Sequence, residues 1–197
     1  MSETITNQYL IDNGVIFIPS GIDEEMANKV IHAMLVINSI DPNRQINIYI
    51  NSPGGSVFEC LAIYDVMHII TNPVATYCIG TALSAAAVLL AAGDKGKRYA
   101  TPHSTVLLHQ VWSSGRATAG RTEDVKIAAS LQEKLEQNLI DILAKHTGQR
   151  KAKIKKDTTY NFWLTAQEAK EYGIVDNIVP YADRIIADVK AKKYTRE

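Results

Sequence analysis

What most constrains the fold of this chain is an alternation, through its first half, of short apolar runs with longer stretches of helical periodicity. Val15-Ile-Phe-Ile18 is closed by Pro19-Ser-Gly21 and reads as a strand. Asp23-Glu-Glu25 then opens a helix with acids at its positive end, and Met26, Val30, Ala33, Met34 and Ile37 recur at helical spacing. Asp41-Pro-Asn43 is a turn. Residues 46–50 form a second strand, 57–70 a second helix ended by Asn72-Pro73, and 74–79 a third strand. Gly80-Thr81 leads into a helix of small residues from about Ser84 to Ala92. Strands joined through helices need crossover connections, which make them parallel. The predicted class is therefore α/β: a parallel twisted sheet with flanking helices.

Farther on, residues 97–99 and 105–109 read as short strands and 113–120 as a small-residue loop or extended segment. Residues 122–145 form one long polar helix with an apolar stripe of Val125, Ala128, Leu131, Leu135, Leu139 and Ile142. It is too long to lie wholly on a compact body, so the stripe implies a partner or a projecting arm. Thr165-Ala-Gln-Glu168 is a capping box for a short helix closed by Gly173. Residues 176–179 form a last strand, followed by a helix with a basic tail. No repeat or linker divides the chain, so residues 1–197 read as one domain.

Composition removes several function classes. A chain of 197 residues buries enough surface to fold without a disulfide or structural metal. Lys+Arg and Asp+Glu both number 21, and zero net charge argues against a general nucleic-acid binder or an anionic-membrane protein. Cys60 and Cys78 form no CxxC pair and lie in apolar surroundings, the pattern of buried thiols in a reducing compartment. The N-terminal residues lack a basic segment followed by an apolar one, and the apolar run 82–92 is about half a bilayer span. The expectation is a cytoplasmic protein with no membrane contact. No histidine pair has metal-ligand spacing with a third ligand nearby, and no metal or other cofactor is expected.

Three places carry possible chemistry. Ser84 lies where a strand turns into a helix of Ala, Val and Leu, a position that offers backbone N–H groups to an oxyanion. Capping that helix is the commoner role for such a serine, and the local Thr-Ala-Leu-Ser-Ala is not a G-x-S-x-G elbow. His109 ends the run Val106-Leu-Leu108, where it either reaches a site at the strand ends or sits satisfied at an edge. His32, His68, His103 and His146 read as surface or capping residues. Asn51-Ser-Pro-Gly-Gly-Ser56 can present a backbone N–H, though a plain tight turn is commoner, and it carries neither a P-loop nor a dinucleotide fingerprint. Arg150-Lys-Ala-Lys-Ile-Lys-Lys156 reads as a solvated helix face, without the interleaved aromatics of a nucleic-acid patch.

Taken in order, several segments together resemble the proteolytic-subunit family of Clp protease, ClpP. They are Ile48-Tyr-Ile-Asn-Ser-Pro-Gly-Gly-Ser56, Ala62-Ile-Tyr-Asp65, 80–84, Leu90-Ala-Ala-Gly93, Lys95-Gly-Lys-Arg98, Leu108-His-Gln110, His146-Thr-Gly-Gln149 and 169–176. The resemblance implies the crotonase-like ClpP fold, with a helical handle here at about 112–147, and heptameric rings stacked in pairs around enclosed active sites. It implies a serine-type endopeptidase that cuts unfolded polypeptides to short peptides, with ATP hydrolysis supplied by a separate AAA+ unfoldase. Ser84 would be the nucleophile, His109 the general base, and the backbone N–H groups of Gly55 and Ala85 the oxyanion hole.

Departures from the family pattern accompany it. Asn161 stands where the triad aspartate belongs. An amide accepts the imidazole N–H but offsets no imidazolium charge, a change that costs up to on the order of 10⁴ in rate in another serine triad. Asp157, four residues earlier, has a different role by the same resemblance. The nucleophile sits in Leu83-Ser-Ala-Ala86, Val111 and Trp112 replace a proline and a glycine-rich strand, and Tyr160 replaces the arginine that links rings. Most of the axial-pore loop is expected to be missing, and the unfoldase-docking surface keeps Tyr49 but has Asn47 where an aromatic is common. The implied protein is a divergent paralogue. The alternative is a catalytically weak or non-catalytic subunit that shares a mixed barrel with an active paralogue. An acyl-CoA enzyme of the crotonase type ranks below both, because a Ser–His pair serves acyl transfer to the enzyme rather than enolate chemistry.

Overall fold

Isoleucine at every second position of residues 46–50 sets the centre of the molecule. Ile46, Ile48 and Ile50 turn to one side of their strand and are buried, while Asn47 and Tyr49 turn to the other. The computed structural model describes residues 9–112 and 121–179. Its elements run β1 (Val15–Ile18), α1 (Glu24–Ile40), β2 (Ile46–Ser52), α2 (Val57–Ile69), β3 (Val74–Leu83), α3 (Ala85–Ala91), β4 (Arg98–Ala100), β5 (Thr105–Leu108), α4 (Thr122–Thr147), α5 (Lys151–Asp157), β6 (Phe162–Thr165), α6 (Ala166–Tyr172) and β7 (Asn177–Ile178). Strands β1-β2-β3-β4-β7 lie side by side and all parallel, as the alternation requires.

Strand β3 is the exception to a simple ladder. Its first part pairs with β4 at Thr76–Cys78, and its last part pairs on that same edge with β5 at Thr81–Leu83. Between them Gly80 adopts φ +116°, where a Cβ would lie 2.7 Å from Asn51 Oδ1. The glycine thus bends the strand instead of ending it. The sequence reading stops this strand at residue 79, but it continues to Leu83 and delays the helix to Ala85. β6 then adds to β5 antiparallel, a pair that the sequence reading did not anticipate.

Helix ends follow local chemistry. The Asp23 carboxylate accepts the Met26 N–H at 2.8 Å, and Thr165 with Glu168 completes the expected capping box. In α1, Ala27 takes the core position expected of Met26, which is half-buried. The 26 residues of α4 span about 39 Å, yet only Ile140 and Leu143 are buried, while Ile127 is 68% exposed. Much of its first half is exposed, though Gln132 and Ala128 face the groove shared with the head. The readings over 113–120 and of a C-terminal helix beyond residue 179 lie outside the described residues. Among the described residues, no helix is long and apolar enough to cross a membrane.

Phe17, Tyr49, Tyr77 and Tyr99 occupy matched positions on adjacent strands and stack across the sheet face that the core leaves uncovered, with ring centroids 5.3, 4.7 and 4.7 Å apart. Burial, then the neighbouring Tyr49 and Tyr99, pushes the Tyr77 hydroxyl up to about 12. Cys60 and Cys78 are buried free thiols, pushed up to about 12 and about 11 by burial, and hence inert.

One ion pair joins the far side of the sheet to three helices. Arg98 Nη2 and Nε donate to the two oxygens of Asp176 at 2.5 and 2.9 Å, and Nη1 donates to the carbonyls of Ala91, His146 and Gly173. Burial alone would raise the Asp176 carboxyl. The hydrogen bonds and charge of Arg98, with the Arg98 and Gly96 N–H groups, outweigh it and hold the acid below its usual range. Arg98→Met, which strands a partly buried carboxylate and the helix carbonyls together, is expected to cost about 3 kcal/mol in urea unfolding.

His146, read from sequence as a surface or capping residue, is half-buried. Its Nε2 lies 3.1 Å from the Tyr64 hydroxyl, and the His68 ring packs beside both. Burial, then His68, Lys145 and Arg98, lowers it from 6.5 to about 4. The folded state keeps this imidazole neutral, while the unfolded chain protonates it near 6.5, so stability is complete above that pH and declines as pH falls towards 4. In thermal melts across that window, His146→Gln is expected to flatten the decline.

Candidate active site

Ser84 carries φ +56° and ψ −124°, and among the described residues it is the only non-glycine with positive φ. A side chain held there costs of order 1–3 kcal/mol and persists only where surrounding contacts force it. Several do so. The Ser84 N–H donates to Leu107 O at 2.8 Å, and its carbonyl accepts from Ala87 at 3.0 Å. Gly54 presses on the turn so closely that a Cβ there would lie 2.4 Å from Leu83 O and 2.8 Å from the Ser84 Cβ. The Ser84 side chain makes no capping hydrogen bond, so the commoner local role does not apply.

The glycine turn is itself clamped. Ile22 N–H donates to Gly54 O and Ser56 N–H to Ile22 O, each at 2.9 Å. The Ser52 hydroxyl donates to Ser20 O at 2.6 Å and accepts the Gly54 N–H at 3.1 Å. These bonds leave the Gly55 N–H out of the bridge to Ile22. Neither it nor the Ala85 N–H, at the start of α3, has an acceptor among the described residues.

His109 directly follows β5. The antiparallel register runs from Thr105↔Thr165 to Leu108↔Phe162, so the next pair along it is His109 and Asn161. The Gln110 N–H donates to Thr158 O at 2.7 Å and ties this segment to the end of α5. A groove of about 810 Å³ between the head and α4 is lined by Ser84, His109, Gly55 and Ala85. A neighbouring depression of about 620 Å³ is lined by His109, Asn161 and Tyr160. His109 thus lines both depressions, one shared with Ser84 and the other with Asn161. Among the described residues no hydrogen bond links Ser84 to His109 or His109 to Asn161. Asp157 is committed elsewhere: its Oδ2 accepts from Lys153 Nζ at 2.5 Å and from the Tyr172 hydroxyl at 2.9 Å. Tyr160 is 83% exposed.

A strained serine beside two idle N–H groups, with a histidine on the same groove, is the layout of an acyl-transfer hydrolase. The protein-family model described as Clp protease matches residues 2–182. The chain belongs to the Clp protease family. It is 46% identical over 172 residues to the ATP-dependent Clp protease proteolytic subunit 1 of Thermobifida fusca (strain YX), an overlap of 87% of this chain and 77% of that protein. Chemistry in the Clp protease family is peptide-bond hydrolysis.

Two residues of this Clp protease groove escaped the sequence reading. Gln132 Nε2 donates to Val111 O at 2.7 Å and fastens α4 beside His109. Its place one turn after Ala128 was the available signal. Glu136, one turn further, also lines the groove, outside the apolar stripe that the sequence singles out. Since Gly54 holds Ser84 in its strained conformation, Gly54→Ala is expected to slow labelling of Ser84 by a fluorophosphonate at least tenfold while circular dichroism stays near wild type.

Proposed function

We propose that this chain is the proteolytic subunit of an ATP-dependent Clp-type protease, a serine endopeptidase with Ser84 as nucleophile and His109 as general base. The Ser84 hydroxyl attacks the peptide carbonyl while His109 takes its proton, then returns it to the leaving amine. The N–H groups of Gly55 and Ala85 receive the oxyanion, which they can do without reorganising because neither has another acceptor. Water then hydrolyses the acyl-enzyme. The observation that carries this reading is the positive φ of Ser84 beside those two idle donors.

Asn161 takes the third place. Its amide oxygen can fix the imidazole tautomer but cannot offset the charge that develops on the ring, so the subunit turns over slowly for its class. The long first half of α4, with Leu131 half-exposed along its stripe, supports a handle that packs rings of this chain, or of this chain with a paralogue, into a barrel. Assembly on that handle closes the Ser84–His109–Asn161 line, since hydrogen bonds of this kind often tighten only in the working complex. The stacked aromatics around Tyr49 support docking of an AAA+ unfoldase that feeds unfolded polypeptide. Two inert buried thiols fit a cytoplasmic setting.

Intact-mass analysis after treatment with a fluorophosphonate is expected to show one adduct that Ser84→Ala removes. No adduct on the assembled protein would overturn the assignment. Asn161→Asp is expected to raise peptide kcat at least tenfold with little change in KM, measured on a fluorogenic peptide.

A further inference from the structure

The groove that holds Ser84 is apolar along most of its wall, with Phe58, Val88, Leu131 and Leu135 among its lining side chains. Glu136 interrupts that wall as the one acidic residue, and no lysine or arginine lines the groove among the described residues. Its carboxylate has no ion-pair or hydrogen-bond partner among the described residues. Its helix offers none either: three and four residues away stand Gln132, Glu133, Leu139 and Ile140. Gln132, one turn earlier on the same face, is fastened to Val111 O, two residues beyond His109. Glu136 therefore faces the groove about 6 Å along the helix from a residue that abuts the histidine segment.

A half-buried, unpaired carboxylate on an otherwise apolar wall attracts a cation more strongly than it would in open water, because the screening is poorer. We propose that Glu136 is a specificity-determining residue that selects polypeptide segments carrying a lysine or arginine close to the scissile bond, flanked by apolar residues. The long apolar stem of either side chain would lie along the groove wall while its charged head meets the carboxylate. This inference rests on the assignment of Ser84 as nucleophile.

The test is a set of fluorogenic peptides that carry lysine or norleucine in turn at each position flanking the scissile bond, hydrolysed by the assembled protein. At one position the lysine peptide is expected to show about tenfold higher kcat/KM than its norleucine twin. Glu136→Gln is expected to erase that ratio and leave the norleucine peptides within about twofold of wild type. Glu136→Lys is expected to shift the preference to glutamate at the same position, and salt near 1 M to shrink the wild-type ratio. Ser84-dependent cleavage with no lysine preference at any position would overturn the inference alone. So would a preference that survives Glu136→Gln, or a Glu136→Gln variant that slows every peptide equally. Cleavage that persists in Ser84→Ala would overturn the nucleophile assignment, and this inference with it.

Discussion

The structure turns on a backbone conformation that is unfavourable on its own terms. Holding Ser84 at positive φ needs β3 to deliver it, β5 to bind its N–H, α3 to begin immediately after it, and Gly54 to leave no side chain in the way. Each requirement recruits another. Gly54 can sit so close only because Ser52, Ser20 and Ile22 fix the turn that carries it. The same turn sets the Gly55 N–H free of the bridge to Ile22. The strain at Ser84 and the unpaired Gly55 N–H thus have one cause: a glycine turn pressed against the end of a strand.

The bend at Gly80 does a second job. A straight β3 would pair with a single neighbour along that edge. The kink splits the edge, giving its first part to β4 and its last part to β5, and so a separate leaf of β5 and β6 hangs from the strand that ends just before Ser84. His109 and Asn161 leave that leaf at its open end, next to each other in register. Residues far apart in sequence are aligned by one antiparallel ladder, which brings the backbone of His109 opposite that of Asn161.

Much of this was legible in the residues. The parallel head follows from alternation alone, and the capping box at Thr165 and the glycine stop at Gly173 were read directly from residue type. The end of β3 was not, because Gly-Thr-Ala-Leu after an apolar run looks like a helix entry until its neighbours are known. The register that brings His109 opposite Asn161 is invisible locally, since antiparallel pairing across more than fifty residues leaves no periodic trace. Residue type alone makes Ser84 a cap, and its positive φ together with the missing capping hydrogen bond speaks against that role. His146 was misjudged for a related reason: its burial depends on Tyr64 and His68 from another helix.

The carbonyls that Arg98 gathers all come from helix C-termini: the last residue of α3, the last turn of α4 and the residue that caps α6. A single cation thus neutralises three negative dipole ends at one point. None of those ends can fray alone without leaving the guanidinium short of a partner, so their local opening is coupled. The helix α3, which begins just after Ser84, and the long helix α4 belong to one cooperative unit. A force or a misfit transmitted along α4 would reach the floor of the groove beside Ser84 through that junction, and amide hydrogens at the three termini should exchange with solvent together.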